Sequence, residues 1–168
     1  MLTKALAGLK FLDVSRVLTG PYCSMVLADL GADVIKVEVP EKGDDSRLFG
    51  PFKNGESGYF ITMNRNKRGI TLDLRRPEGQ AVLKDLAAWA DVLLENFATG
   101  TMEQWCLGYR HLAAVNPRLI YASITGFGQY GPYARRFAFD AIAQAMGGLM
   151  SITGQKDGPP TRVGTALG

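Results

Sequence analysis

Asp13-Val14-Ser15-Arg16-Val17-Leu18-Thr19-Gly20-Pro21-Tyr22 and, a few residues on, Leu27-Ala28-Asp29-Leu30-Gly31-Ala32-Asp33-Val34-Ile35-Lys36-Val37-Glu38 decide the fold. Lys10 to Val14 reads as a short buried strand, and Pro21 starts an apolar helix that Gly31 terminates. The β-branched run Asp33 to Val39 is then stopped by Pro40. A strand, a helix and a strand within about thirty residues make a βαβ unit, which demands a parallel pair and a right-handed crossover.

Further along, residues 40–58 are rich in Gly, Pro and charge and read as a long surface connection. Gly69 to Leu74 reads as a third strand, followed from Pro77 by a helix with Val82, Leu83, Leu86 and Ala90 at helical spacing. Asp91 to Glu95 makes a fourth strand. After a helix opened by Thr101 and a stop at Asn116-Pro117, Arg118 to Ile124 makes a fifth. Alternation of this kind predicts an α/β fold, a Rossmann-like, mostly parallel sheet with helices on both faces. The glycine-rich loop Gly126 to Gly131 leads into a small-residue helix, Asp140 to Met150, with Asp140 as its N-cap. The final residues carry no stop signal, so the chain is expected to be cut.

The composition bounds the function. With 168 residues, 46% apolar, the chain can bury a core, and a net charge of +3 does not indicate nucleic-acid binding. Neither a secretion signal nor a membrane-length apolar run is present, so a cytoplasmic, soluble protein without membrane association is expected. Cys23 and Cys106 lie far apart in apolar sequence, which predicts buried free thiols and no metal site. A single histidine, His111, excludes mechanisms that need two imidazoles, and no Gly-x-Ser-x-Gly is found. His111, Trp105 and Met102 read as surface or packing residues.

Ligands of open parallel sheets collect beyond the carboxyl ends of the strands, so those loops carry the candidates. The loop after the first strand has one glycine where a dinucleotide-binding turn has three, which argues against NAD or FAD. Glu38 reads as a solvated strand end. Arg65, Lys67 and Arg68 precede the third strand and Arg75 and Arg76 follow it, a pattern that fits either a phosphate-neutralising loop or a solvated basic edge. Asn96 and Phe97 offer an amide and an aromatic face, although a loop-packing Phe has the same sequence. Asp140, after Arg135-Arg136, is either a helix cap or part of a site.

Taken together, the two opening stretches, Asn64-Arg65-Asn66-Lys67-Arg68-Gly69-Ile70-Thr71-Leu72-Asp73-Leu74, Ala90 to Phe97, Asn116 to Tyr121 and Gly126 to Tyr133 resemble the family III CoA transferases, in order and over nearly the whole chain. The resemblance implies CoA transfer between an acyl-CoA donor and a small carboxylic acid acceptor through aspartyl anhydride and aspartyl-CoA thioester intermediates. It implies no tightly bound cofactor, coenzyme A being a substrate. The nucleophilic aspartate would follow Gly168 directly, leaving no catalytic residue in this chain except an assisting Asp140. CoA would lie against Arg16, Leu18 and Thr19, against Leu72, Asp73, Leu74 and Arg75, and against Asn96, Phe97 and Ala98. Gln104 stands where many members have an arginine, Val39 where some have a basic residue. Phe137, Ala138, Phe139 and Asp140 would lie near the thioester end. The resemblance makes residues 1–168 the amino-terminal part of a large CoA-binding domain, incomplete without a carboxyl-terminal segment, in a family of interlocked homodimers. The racemase branch of the same fold usually has a histidine beside the aspartate where this chain has Phe139 beside Asp140. A noncatalytic CoA-binding fragment or a folding and dimerisation fragment are the readings from other classes.

Overall fold

The structure, a computed structural model, describes residues 4–166. Two compact units divide the chain between Ile124 and Thr125. The first unit runs β1 (Lys10–Asp13), α1 (Thr19–Asp29), β2 (Asp33–Glu38), a 3-10 turn (Asp45–Leu48), a small hairpin of β3 (Phe52–Lys53) and β4 (Glu56–Ser57), and α2 (Gly58–Asn64). It continues with β5 (Lys67–Thr71), α3 (Pro77–Trp89), β6 (Val92–Glu95), α4 (Thr101–Gln104), α5 (Tyr109–Ala113) and β7 (Ile120–Ser123).

Five strands form one sheet in the order β5-β2-β1-β6-β7, all parallel, as the strand–helix alternation predicts. The period-2 alternation of the strands sorts two cores. On one face Phe11, Val34 and Leu94 pack against Ala28 and Ala32 at the end of α1. On the other, Leu12, Val14, Val37 and Leu93 pack with Leu83 and Ala87 of α3 and with Met102, Leu107 and Leu112. Helices therefore cover both faces, which is why these strands read as continuous apolar runs. The α1 helix ends at Gly31, whose φ of +108° accommodates a left-handed turn while its N–H donates to Ala28 O and the Ala32 N–H to Leu27 O.

Strand order reverses at β1. The chain places β2 and β5 on one side of it and β6 and β7 on the other. In sheets of this kind ligands bind beyond the carboxyl ends of the strands at such a reversal, which here lies between β1 and β6.

The surface connection 40–58 carries local structure of its own, since Asp44 caps a 3-10 turn and a hairpin follows. Two expectations in this unit need correction. The third strand lies at 67–71 and ends earlier than the sequence suggests, because the chain turns at Asp73, whose carbonyl accepts the Arg76 N–H at 3.0 Å. Cys23 and Cys106 are exposed, not buried. The buried side of α1 is Gly20, Pro21, Ser24, Met25 and Ala28, and helical spacing turns Cys23 outward.

The second unit consists of the loop from Thr125, α6 (Asp140–Met146) and a 3-10 turn (Leu149–Ile152). The helix stops at Met146, short of Met150, because Gly147 caps it and Gly148 follows at φ +80°. Its N-cap is Phe139, so Asp140 is the first helical residue and not the cap. There its carboxylate accepts Gln144 Nε2 at 2.7 Å and faces the positive end of the helix. The expected nucleophile position after Gly168 lies outside the described residues.

Candidate functional site

The rim loop after β1 is built on buried charges. Asp13, fully buried at the end of β1, accepts the Ser15 N–H at 2.9 Å, the Ser15 and Ser24 hydroxyls, and Lys67 Nζ at 3.0 Å. Lys67, also fully buried, donates further to Pro21 O at 2.9 Å and Asn64 Oδ1 at 2.8 Å, tying the start of α1 to the end of α2. Beside it, buried Lys36 of β2 reaches the Ser15 carbonyl and Asp44 Oδ2 at 2.8 Å. The strand registers Asp13↔Lys36 and Lys36↔Gly69 put these groups on the α1 face, one strand apart. Burying charges is costly unless each is paired and hydrogen-bonded, and each of these is.

Asp44 completes the arrangement. Its carboxylate accepts the Ser46 N–H and hydroxyl, and also the Val17 N–H at 3.1 Å. The cationic Lys36 and these donors hold it below the ordinary aspartate range although burial pushes it the other way. Val17 sits at φ +68°, a left-handed conformation that costs a β-branched residue about 1–2 kcal/mol. The adjacent residue, Arg16, is gripped from β6: Asn96 Oδ1 accepts the Arg16 N–H at 2.7 Å and Asn96 Nδ2 donates to the Arg16 carbonyl at 2.8 Å. These two bonds bridge the loops after β1 and β6.

The expected binding residues of the first unit fall into three groups. Arg16, Leu18 and Thr19 follow β1, and Asn96, Phe97 and Ala98 follow β6, on the two sides of the strand-order reversal. Leu72, Asp73, Leu74 and Arg75 follow β5 on the same carboxyl rim, three strand spacings from β6, or about 14 Å. Gln104 ends α4 and is exposed. The side chains differ in what they can offer. Leu72 and Leu74 turn into the apolar core, Leu74 being buried, and Phe97 packs there too, edge-on to Trp105 at 5.2 Å. Asn96 is committed to Arg16.

Arg75 is exposed and forked onto Asp73 Oδ1 and Oδ2, while Arg16 pairs with Asp45 and its Nε is buried without a hydrogen-bond partner among the described residues. The basic run around β5 is thus divided. Arg65 pairs with Asp29 and Arg68 with Asp33 at the opposite, amino end of β2, and Lys67 is buried, so only Arg75 and Arg76 belong to the carboxyl rim. Glu38 is no free strand end either, because Arg47 donates to both of its oxygens and the Asp44 N–H to one.

Glu95 was not foreseen. It ends β6 buried, only 3% exposed, accepts the Phe97 N–H at 2.8 Å and the Ser123 hydroxyl, and so fixes the turn that presents Asn96. Burial pushes its carboxyl above the ordinary glutamate value, against the pull of those two donors. An acidic residue that ends an apolar strand and precedes Asn-Phe was the available signal. Phe137, Ala138, Phe139 and Asp140 belong to the second unit, where Phe137 and Phe139 are strongly exposed and lead into α6. Among the described residues no cluster of metal-ligating side chains forms, and no helix is long and apolar enough to cross a membrane.

Comparison with known proteins gives a consistent result. A sequence model of the family described as CoA-transferase family III matches residues 6–168. The mouse succinyl-CoA:glutarate CoA-transferase is 50% identical over 98% of this chain and 38% of its own length. The acetyl-CoA:oxalate CoA-transferase of Acetobacter aceti is 49% identical over 94% of this chain and 40% of its own. Among solved structures, a CAIB/BAIF family protein from Brucella suis superposes with a TM-score of 0.92 at 48% identity, covering 98% of this chain and 45% of that one. The chain thus spans well under half the length of the relatives it matches.

Proposed function

The chain belongs to CoA-transferase family III, and on that footing we propose that the whole protein moves CoA from an acyl-CoA donor to a small carboxylic acid, with this chain contributing the nucleotide-side rim of the site. The observation that carries the reading is the reversal of strand order at β1, which sets the Arg16–Thr19 loop beside Asn96–Ala98 at one end of the sheet with Arg75 on the same rim. Exposed Arg75, with Arg76 next to it, supplies positive charge for the phosphates of CoA. Backbone groups of Leu18, Leu72 and Ala98 line the path of the ligand.

The chemistry is carried by an aspartate that follows Gly168. Its carboxylate attacks the thioester carbonyl of acyl-CoA, expelling CoA thiolate and leaving an aspartyl anhydride. The thiolate then attacks the aspartyl carbonyl, releasing the donor acid and giving an aspartyl-CoA thioester, and the acceptor carboxylate repeats the two steps in reverse. No net proton or electron changes hands. The relatives named for glutarate and oxalate support a small dicarboxylic acid as one substrate. A cytoplasmic homodimer, completed by a carboxyl-terminal segment, is the working form.

The test is CoA exchange by the full-length protein between a succinyl-CoA donor and free glutarate or oxalate. New acyl-CoA, together with loss of exchange when the aspartate after Gly168 is replaced by alanine, is the expected result. Exchange of the α-proton with deuterated solvent and no CoA transfer would replace this reading with the racemase one. CoA binding with neither activity would make the protein a binding module.

A further inference from the structure

We infer that Asp44 and Lys36 are positioning residues, a buried ion pair whose role is to hold the strained Ser15–Val17 turn in the shape the coenzyme meets. The inference rests on the reading of the loops after β1 and β6 as part of the CoA site.

Three successive residues of that turn are held by side chains from three different places in the sequence. The Ser15 carbonyl accepts Lys36 Nζ, the Arg16 N–H and carbonyl are both bonded by Asn96, and the Val17 N–H donates to both oxygens of Asp44, at 3.1 and 3.3 Å. Asn96 alone could tie the two loops together. What it leaves unexplained is Val17 at φ +68°, because a β-branched residue leaves that conformation unless its surroundings impose it. Asp44 is the group that imposes it, since its carboxylate is the acceptor that draws the Val17 N–H inward, at 3.1 and 3.3 Å to its two oxygens.

Asp44 is in turn immobilised. Ser46 donates to it twice, Lys36 pairs with it, and its own N–H is fixed by Oε2 of Glu38, a carboxylate whose two oxygens each accept one bond from Arg47. None of this is required for the sheet, whose strands pair through their own backbones. A lysine and an aspartate, both essentially buried, are a costly way to fill a core and a sound way to fix one loop to a stated geometry. The carboxylate sits in the loop after β2 and the turn follows β1, so Lys36, on β2 and aligned with Asp13 of β1, is the bridge between them.

Glycine adopts positive φ without strain, so Val17→Gly removes the need for the clamp and separates positioning from mere stability. CoA is titrated calorimetrically into the full-length wild type, Asp44→Asn, Val17→Gly and the double variant, well below their melting temperatures. Amide exchange of the peptide covering residues 14–20 is followed in parallel. Asp44→Asn is expected to weaken CoA binding about tenfold or more and to speed exchange in that peptide, the scale of one lost charge-assisted bond. Relative to Val17→Gly alone, the same substitution is expected to weaken binding by no more than about threefold.

A folded Asp44→Asn protein with unchanged affinity and unchanged exchange overturns the inference. So does an equal loss of affinity in both backgrounds, which would mean that Asp44 acts other than through the turn. If Asp44→Asn does not fold, Lys36→Met/Asp44→Asn, which leaves no uncompensated buried charge, is read in the same way. Wild-type protein that binds no CoA defeats the transferase reading, while the exchange rates still decide whether Asp44 holds the turn.

Discussion

Replacing Lys67 with methionine tests how the first unit is held together. The substitution keeps the length and much of the apolar stem, so packing changes little while the ammonium disappears. Three bonds go with it, to Asp13 Oδ2 at 3.0 Å, Pro21 O at 2.9 Å and Asn64 Oδ1 at 2.8 Å. Breaking a fully buried pair by removing one partner costs about 3–5 kcal/mol, because the other charge is left without compensation. Asp13 keeps the Ser15 N–H and the Ser15 and Ser24 hydroxyls, which places the loss near the lower end, about 3 kcal/mol. Burial pushes the Lys67 amine below the ordinary lysine value in spite of Asp13, so the intact pair contributes much less than its rupture costs. Removing both charges in Lys67→Met/Asp13→Asn should therefore be milder than Lys67→Met alone. Native-state amide exchange of β1 and β5 in the full-length protein is the assay, with a local loss of 3 kcal/mol speeding exchange about 100-fold. Acceleration of less than about fivefold would refute the argument, since Asp13 would then have found solvent or another partner.

Gly79→Ala should lower the melting temperature although alanine is the better helix former by about 1 kcal/mol, because a Cβ at position 79 would collide with the Asp73 carbonyl, backbone that has no room to yield. An unchanged or higher melting temperature would contradict the close packing of α3 on the 72–75 turn. Glu95→Gln addresses pH. Burial raises the Glu95 carboxyl, so the native state holds its proton more tightly than the unfolded chain; that contribution is complete below about pH 4.3 and is lost as pH rises through the native value. The stability difference between variant and wild type, from denaturant titrations across pH, should move in favour of the variant over that window and then level off. A flat or opposite trend sinks it. Asp44 and Glu38, both depressed, lose stability in the acid direction in both proteins and cancel from the difference.

The sheet was legible because its signals are local. Phe11-Leu12 and Val34-Ile35, each flanked by charge and closed by Gly31 or Pro40, state strand, helix end and strand without reference to anything distant. Four of the five strands of the sheet were located to within two residues. The fifth, β5, runs Lys67-Arg68-Gly69-Ile70-Thr71 on an edge, so its alternation is weak and the more apolar Leu72-Asp73-Leu74 drew the boundary toward the carboxyl side. Leu72 and Leu74 are apolar because they enter the core from the turn. Composition cannot distinguish that from strand pairing.

The site was legible as loops but not as side chains, and the reason is the range over which charges choose partners. Arg65, Lys67, Arg68, Arg75 and Arg76 look alike in sequence, yet the sheet sends Lys67 inward to Asp13, fifty-four positions away, and Arg65 and Arg68 to Asp29 and Asp33. Lys36 and Asp13 were read as ordinary strand residues, because nothing local says that a lysine in the middle of Val-Ile-Lys-Val is buried. The parallel register says it. Once Asp13 stands opposite Lys36, with Gly69 next across the sheet, the two basic residues on the α1 face can only be buried beside the acids, and the loop they fix is the one at the reversal of strand order. Apolar sequence built the sheet, and misplaced-looking charge within it built the rim.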